Sequence, residues 1–241
     1  MSSRTVSMSL SALRRWVKAQ DNDVSATLYA LGKWWRYASL PSVKAIYLPL
    51  YLLQKTISAG WADVTRIVWY TPLFQSRLIK PAKHLYVYGG MPLVIGPVQI
   101  TLGSYCRVGG RSNIIGRNAV DPPKLIIGNN VDLGWGSTLS VGTTIRVGNN
   151  VRLAANVFLA GFPGHPLNAE ARAGGAADTE AQIGDIILED DVWLCTGVCV
   201  LPGVTIGRGT VVGTGSVVTK SLPADVLAAG NPARVIRPLK P

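Results

Sequence analysis

Few residues of this chain are suited to proton transfer. Its 241 residues include two histidines, His84 and His165, and three cysteines, Cys106, Cys195 and Cys199. His165 stands in Gly164-His165-Pro166, inside Gly161–Ile183, a stretch that interrupts an otherwise regular pattern. Long interruptions of a regular scaffold are where functional side chains concentrate. An imidazole titrates near neutrality, so it can take the proton of a hydroxyl as that oxygen attacks an electrophile. His84 follows Lys83 where the pattern begins and is read as structural or solvent-facing. Cys195 and Cys199 should both face outward, but no further Cys or His lies nearby in sequence, so no metal site is expected. Three thiols in a chain of this size fit reduced cysteines in the cytoplasm.

The pattern that must position His165 has a period of six. Leu188, Leu194, Val200, Ile206, Val212 and Val218 recur without a slip, with Val192, Val198, Val204, Thr210 and Ser216 each four residues on. Upstream, Leu102, Val108 and Ile114 form one run, with Cys106 and Ser112 as small partners. Ile127, Leu133, Leu139 and Ile145 form a second, and Val147, Leu153 and Leu159 a third, shifted by two residues. Breaks fall at Arg117–Lys124, which holds Pro122 and Pro123, and at Gly161–Ile183. Six matches neither the 3.6 residues of an α-helix turn nor the two of a strand. It fits short strands and turns stacked into a parallel β-helix, each aliphatic residue pointing into a narrow prism and each Gly or Asn permitting a turn. One repeat cannot bury its own apolar face, so its neighbours must.

Charge is uneven. Residues 1–83 hold 12 basic and 3 acidic side chains, a net of +9, against 12 and 10 in residues 84–241. Trp16, Trp34, Trp35, Trp61 and Trp69 lie in the basic third. Leu10, Leu13, Trp16 and Val17 have helical spacing beside Arg14, Arg15 and Lys18, and Leu28, Leu31 and Trp35 repeat it beside Lys33 and Arg36. Two readings stand: helices docked on an anionic membrane, or a cap on the first coil. No nucleic-acid motif accompanies the charge, so no nucleic-acid partner is expected. Met1–Leu10 lacks the apolar core of a signal peptide. Ala45–Leu53, the most apolar stretch, is too short to span a bilayer and is punctuated by Pro49.

Ile187–Pro238, with its VWL, LPGVTIG, GSVVTK and GNPARVIR elements, resembles the C-terminal half of the hexapeptide-repeat acyltransferases, nearest the galactoside and maltose O-acetyltransferase branch. Tyr70–Gly110 is similar to the start of the repeat in acetyltransferases of bacterial surface polysaccharides, including the colanic acid type. The resemblance implies a mainly β fold, a left-handed parallel β-helix assembled as a homotrimer, with acetyl-CoA as donor and active sites between subunits. The division expected is a basic, Trp-rich helical region (1–84), a β-helix acyltransferase domain with a loop insertion at 161–183 (85–220), and a C-terminal tail (221–241).

The family's catalytic histidine falls on His165. The oxyanion donor falls on Thr196, through its N–H or hydroxyl, and Cys195 replaces the glycine usual before it. Asn156 matches an acceptor-orienting position and Trp193 a wall of the donor channel. Thr214 and Thr219 match contacts to the pantetheine arm; Arg234, Arg237 and, more weakly, Lys220 match positions near the nucleotide phosphates, which guanidinium groups clamp well. The reading is O-acetyl transfer from acetyl-CoA to a sugar hydroxyl of a surface glycan or its lipid-linked precursor, in the cytoplasm or on the inner face of its membrane. The alternative is N-acetylation of an amino sugar or an antibiotic-type small molecule; a non-enzymatic scaffold is a third reading. A γ-type carbonic anhydrase is excluded, because it needs three zinc-binding histidines.

Overall fold

The computed structural model describes residues 9–239. Residues 1–8 and 240–241, at the ends of the helical region and the tail, lie outside the described residues. The chain divides between Thr56 and Ile57 into two compact units.

The larger unit is a three-sided parallel β-helix. Its first face stacks Tyr86–Tyr88, Arg107–Gly109, Asp132–Leu133, Arg152–Leu153, Trp193–Leu194, Val211–Val212 and Val226–Gly230. The second stacks Leu93–Ile95, Asn113–Gly116, Thr138–Val141, Phe158–Ala160, Cys199–Val200 and Val217–Val218. The third stacks Gln99–Leu102, Lys124–Ile127, Thr144–Val147, Ile186–Leu188 and Thr205–Ile206.

Three faces of six residues make a coil of eighteen, which is the register seen in the regular segment: Ile187 pairs with Thr205, Trp193 with Val211 and Cys199 with Val217. Every aliphatic residue of the six-residue runs is buried, from Leu102 to Val218. The two-residue shift is absorbed in Thr144–Val147, where both Ile145 and Val147 point inward. Fully burying each such side chain contributes about 1.5–3 kcal/mol.

The edge between the third and first faces turns through left-handed residues. Asn130, Asn150 and Asp191 have φ of 54°, 58° and 62°, a region Asn and Asp tolerate better than most residues. Above their neighbours runs a side-chain ladder: the Asn129 amide N–H donates to Asn149 Oδ1 (2.9 Å) and that of Asn149 to Asp190 Oδ1 (2.6 Å). His84 starts this edge, stacked on Tyr105 with ring centroids 4.4 Å apart.

The β-helix unit begins upstream of residue 85. A π-helical turn (Arg66–Tyr70) leads into a short helix, Thr71–Gln75. Phe74, Leu78, Ala82 and Leu85 are buried in the same core, with Tyr70 packed against it. Gln75 clasps Ala82, accepting its N–H (2.8 Å) and donating to its carbonyl (2.9 Å). At the far end, residues expected as a tail continue the first face: Val226–Gly230 pairs with Val211–Val212, and Ala233–Pro238 folds back antiparallel on it.

In the smaller unit, α1 (Leu10–Ala19) packs on α2 (Asp23–Tyr37). Ser9 caps α1, and Asn22 and Ser25 form a reciprocal capping box on α2. Helix α3 (Lys44–Thr65) begins in this unit and ends in the larger one; it has no buried residue and continues through Pro49, where the sequence had suggested an interruption. Among the described residues, no helix is long and apolar enough to cross a membrane.

Candidate active site

The sequence-predicted site residues occupy two edges of the prism, its first face and the strand at the end of that face. At the edge between the first and second faces the chain turns through Gly136, Asn156, Gly197 and Gly215, with φ of 72°, 59°, 70° and 69°. Three of these turns hand an N–H to the coil before: Asn156 to Trp135 O (2.8 Å), Gly197 to Ala155 O (3.0 Å) and Gly215 to Thr196 O (2.9 Å). Thr214 therefore lies one coil beyond Thr196 on the same edge, and both are exposed. The left-handed backbone accounts for an Asn at 156, whose Oδ1 lies over Gly136 so closely that a Cβ there would meet it at 2.4 Å. Trp193 projects from the first face, in register between Arg152 and Val211, and is half exposed.

Cys195 is accommodated without a left-handed backbone. Its N–H donates to Val212 O (2.9 Å), and its side chain packs against the core. Burial pushes its thiol up from the ordinary 9.0, so the thiol stays protonated at neutral pH. That suits a packing residue better than a nucleophile.

Both breaks in the repeat leave from the opposite edge, between the second and third faces. The neck of the long loop is closed by a hydrogen bond from the Gly184 N–H to Gly161 O (3.1 Å). Beyond it the backbone around His165 is pinned on both sides. The Gly164 N–H donates to Asp178 Oδ2 (3.2 Å), Gln182 Nε2 donates to the His165 carbonyl (3.2 Å), and Arg172 donates to the Pro166 carbonyl (3.0 Å). Arg172 comes from a short helix inside the loop, Ala169–Ala173, capped by Asn168. The His165 ring itself is exposed.

Asp178 in turn pairs with Arg117, from the other break (2.8 Å), and Arg117 also reaches Glu180 (2.9 Å). The Arg117 and Asp178 side chains are only 14% and 5% exposed. The Asp178 hydrogen bond raises the Arg117 pKa, outweighing desolvation. A buried, hydrogen-bonded ion pair of this kind is costly to break by removing one partner. Sequence reading missed Arg117, Asp178, Arg172 and Gln182. The available signal was that each break of an apolar pattern carries charge.

Thr219 and Lys220 follow Val217–Val218 at this second edge, so the structure does not bring Thr219 beside Thr214 within one chain. Arg234 and Arg237 lie exposed on the antiparallel strand Ala233–Pro238. Among the described residues their guanidinium groups donate to neighbouring carbonyls, Ala233 O (2.8 Å) and Pro238 O (3.1 Å). Neither pairs with a carboxylate among the described residues, which leaves them suited to an incoming phosphate. Also among the described residues, no cluster of three His, Cys, Asp or Glu is placed to hold a metal ion.

His165 and Thr196 thus flank the second face from opposite edges. Between Thr196 and Leu201, where the His165 edge begins, the chain turns at Gly197 and then runs through the short strand Cys199–Val200.

A coil of hexapeptides with this register defines a class, and residues 185–220 match the family model for the bacterial transferase hexapeptide (six repeats). That segment of the chain therefore carries the hexapeptide repeat. Among individual proteins, it is similar to a Schizosaccharomyces pombe protein bearing an acetyltransferase name, 41% identical over 77 residues. That match spans 32% of this chain and 35% of the relative's length. Among solved structures, it is similar to a point mutant of AntD, an N-acyltransferase from Bacillus cereus, in complex with dTDP-4-amino-4,6-dideoxyglucose and coenzyme A. The two are 18% identical, with 70% of this chain and 88% of that one covered at a TM-score of 0.56, so they share the fold. A maltose O-acetyltransferase from Clostridium difficile 630 is 26% identical over 70% of this chain and 74% of its own, with a TM-score of 0.44.

Proposed function

We propose that the protein is an acetyl-CoA-dependent O-acetyltransferase acting on a sugar hydroxyl, with a left-handed coil, a homotrimeric assembly and active sites between copies. The observation that carries this reading is the placement of a clamped, exposed histidine and a backbone-fixed threonine on the two edges that flank one face. That second face also carries apolar side chains on its outer side, with Leu93, Ile95 and Phe158 exposed around the hydrogen-bonded Asn113 and Thr138. Copies meeting across it would bring the His165 edge of one toward the Thr196 edge of the next, as closed symmetric assembly requires.

In the proposed step His165 takes the hydroxyl proton as the sugar oxygen attacks the thioester carbonyl. The C–O bond forms, and the negative charge on the carbonyl oxygen is met by the Thr196 N–H or hydroxyl. Collapse breaks the C–S bond, and the imidazolium returns its proton to the departing thiolate. Arg234 and Arg237, with Lys220 more weakly, hold the donor's phosphates. Thr214 and Thr219 line its pantetheine arm, Trp193 walls the channel, and Asn156 orients the acceptor. The acceptor is a surface glycan or its lipid-linked precursor, which suits a basic helical region working at the inner face of the cytoplasmic membrane.

A panel of glycan intermediates and amino sugars incubated with labelled acetyl-CoA tests this, read by product mass. Ester-linked acetyl on a glycan hydroxyl is expected. Label found solely on amino groups would replace O-transfer by N-transfer, and no CoA binding at all would leave a scaffold.

A further inference from the structure

Helix α3 (Lys44–Thr65) and the turn that follows carry a stripe that the protein leaves uncovered. Ile46, Leu50, Leu53, Ile57, Trp61, Val64 and Val68 recur at three- and four-residue steps, so they lie on one side of the helix. Each is at least half exposed. From Ile46 to Val64 the stripe runs about 27 Å at 1.5 Å per residue. Charges on α3 are limited to Lys44, Lys55 and Asp63, and at 100° per residue both lysines fall opposite the stripe. Trp61 and Trp69, exposed near its C-terminal end, are of the type that settles at a membrane–water boundary.

The α1–α2 pair adds the matching charge. Between the two helices lies a cleft of about 360 Å³, floored by Leu13, Val17 and Leu28 and rimmed by Arg14, Lys18, Lys33 and Arg36. Among the described residues none of these four cations has a carboxylate partner. An apolar floor with an unneutralised basic rim is complementary to anionic headgroups and the acyl chains beneath them. No described helix is long and apolar enough to cross a membrane, so α3 fits a helix lying in the interface.

We propose that α3 is a membrane-docking helix whose Ile46–Val68 stripe inserts in the plane of an anionic bilayer while the α1–α2 cations hold the headgroups. Full-length protein would be sedimented with vesicles of phosphatidylcholine alone and of an equimolar phosphatidylcholine–phosphatidylglycerol mixture. Binding to the mixture, weakened by salt and accompanied by a blue shift of tryptophan emission, is the expected result. Leu53→Glu/Ile57→Glu should lower the partition by about tenfold or more, with oligomeric state and acetyl transfer to soluble acceptor unchanged. Arg14→Gln/Lys18→Gln/Lys33→Gln/Arg36→Gln should remove the preference for the anionic mixture. Equal binding by the Leu53→Glu/Ile57→Glu variant, or no binding by the parent protein, would overturn the proposal. So would loss of self-association in that variant, which would assign the stripe to contacts between copies. Vesicle binding is read without any acyl transfer, so failure of docking and failure of catalysis are separately visible.

Discussion

The two edges that flank the second face are built in opposite ways. At one, the chain turns through the left-handed residues Gly136, Asn156, Gly197 and Gly215, with Gly197 and Gly215 donating to the coil before at 3.0 and 2.9 Å. Geometry there is set by the solenoid itself, so donors such as the Thr196 N–H are pre-organised at no further cost. At the other, two segments leave the coil, and geometry is set by side chains, chiefly Arg117, Asp178, Arg172 and Gln182. The first edge suits rigid electrostatic stabilisation, which works best without reorganisation. The second suits a base that must meet a variable acceptor.

Substitutions at the two edges should therefore fail differently. The largest effect is expected from His165→Ala. The ring is exposed and forms none of the loop's clamps, so its loss should lower kcat by about 10²–10⁴, the usual value of a positioned acid–base group. Circular dichroism and thermal unfolding should stay at parent values. A smaller effect, about tenfold in kcat, is expected from Asp178→Asn, which neutralises the partner of Arg117 and loosens the strand of loop holding Gly164. Hydrogen exchange should quicken across 161–183 while the buried repeat residues keep their protection. Smallest should be Arg234→Ala and Arg237→Ala, each raising KM for acetyl-CoA several-fold with kcat nearly unchanged, as expected for phosphate contacts made equally in ground and transition states.

Much of the coil was legible in sequence, because burial and period are local. Leu188 through Val218 recur at six and all are buried, and the burial of Thr210 and Ser216 shows the small partners in their expected places. Cys106 and Ser112 behave likewise. Three-sidedness follows from a coil of eighteen residues, which needs the register as well as the period. The clamps around His165 were not legible. Arg117 and Asp178 are brought together only because both breaks leave from the same edge, a fact of topology and not of neighbouring sequence. The extent of α3 was also hidden. Pro49 removes one N–H and ordinarily breaks a helix interior, so Ala45–Leu53 read as a short apolar stretch, whereas the helix continues to Thr65.

In the proposed site, the histidine and the oxyanion donor belong to different copies of the chain. Two inactive variants test it directly: His165→Ala, and Thr196→Asp, which sets a carboxylate against the developing oxyanion at an exposed position. Mixed in equal amounts by denaturation and reassembly, or by co-expression, they should recover about a quarter of parent activity, the chance that a site draws an intact edge from each copy. Activity no higher than that of either variant alone would contradict the claim and place the whole site within one chain.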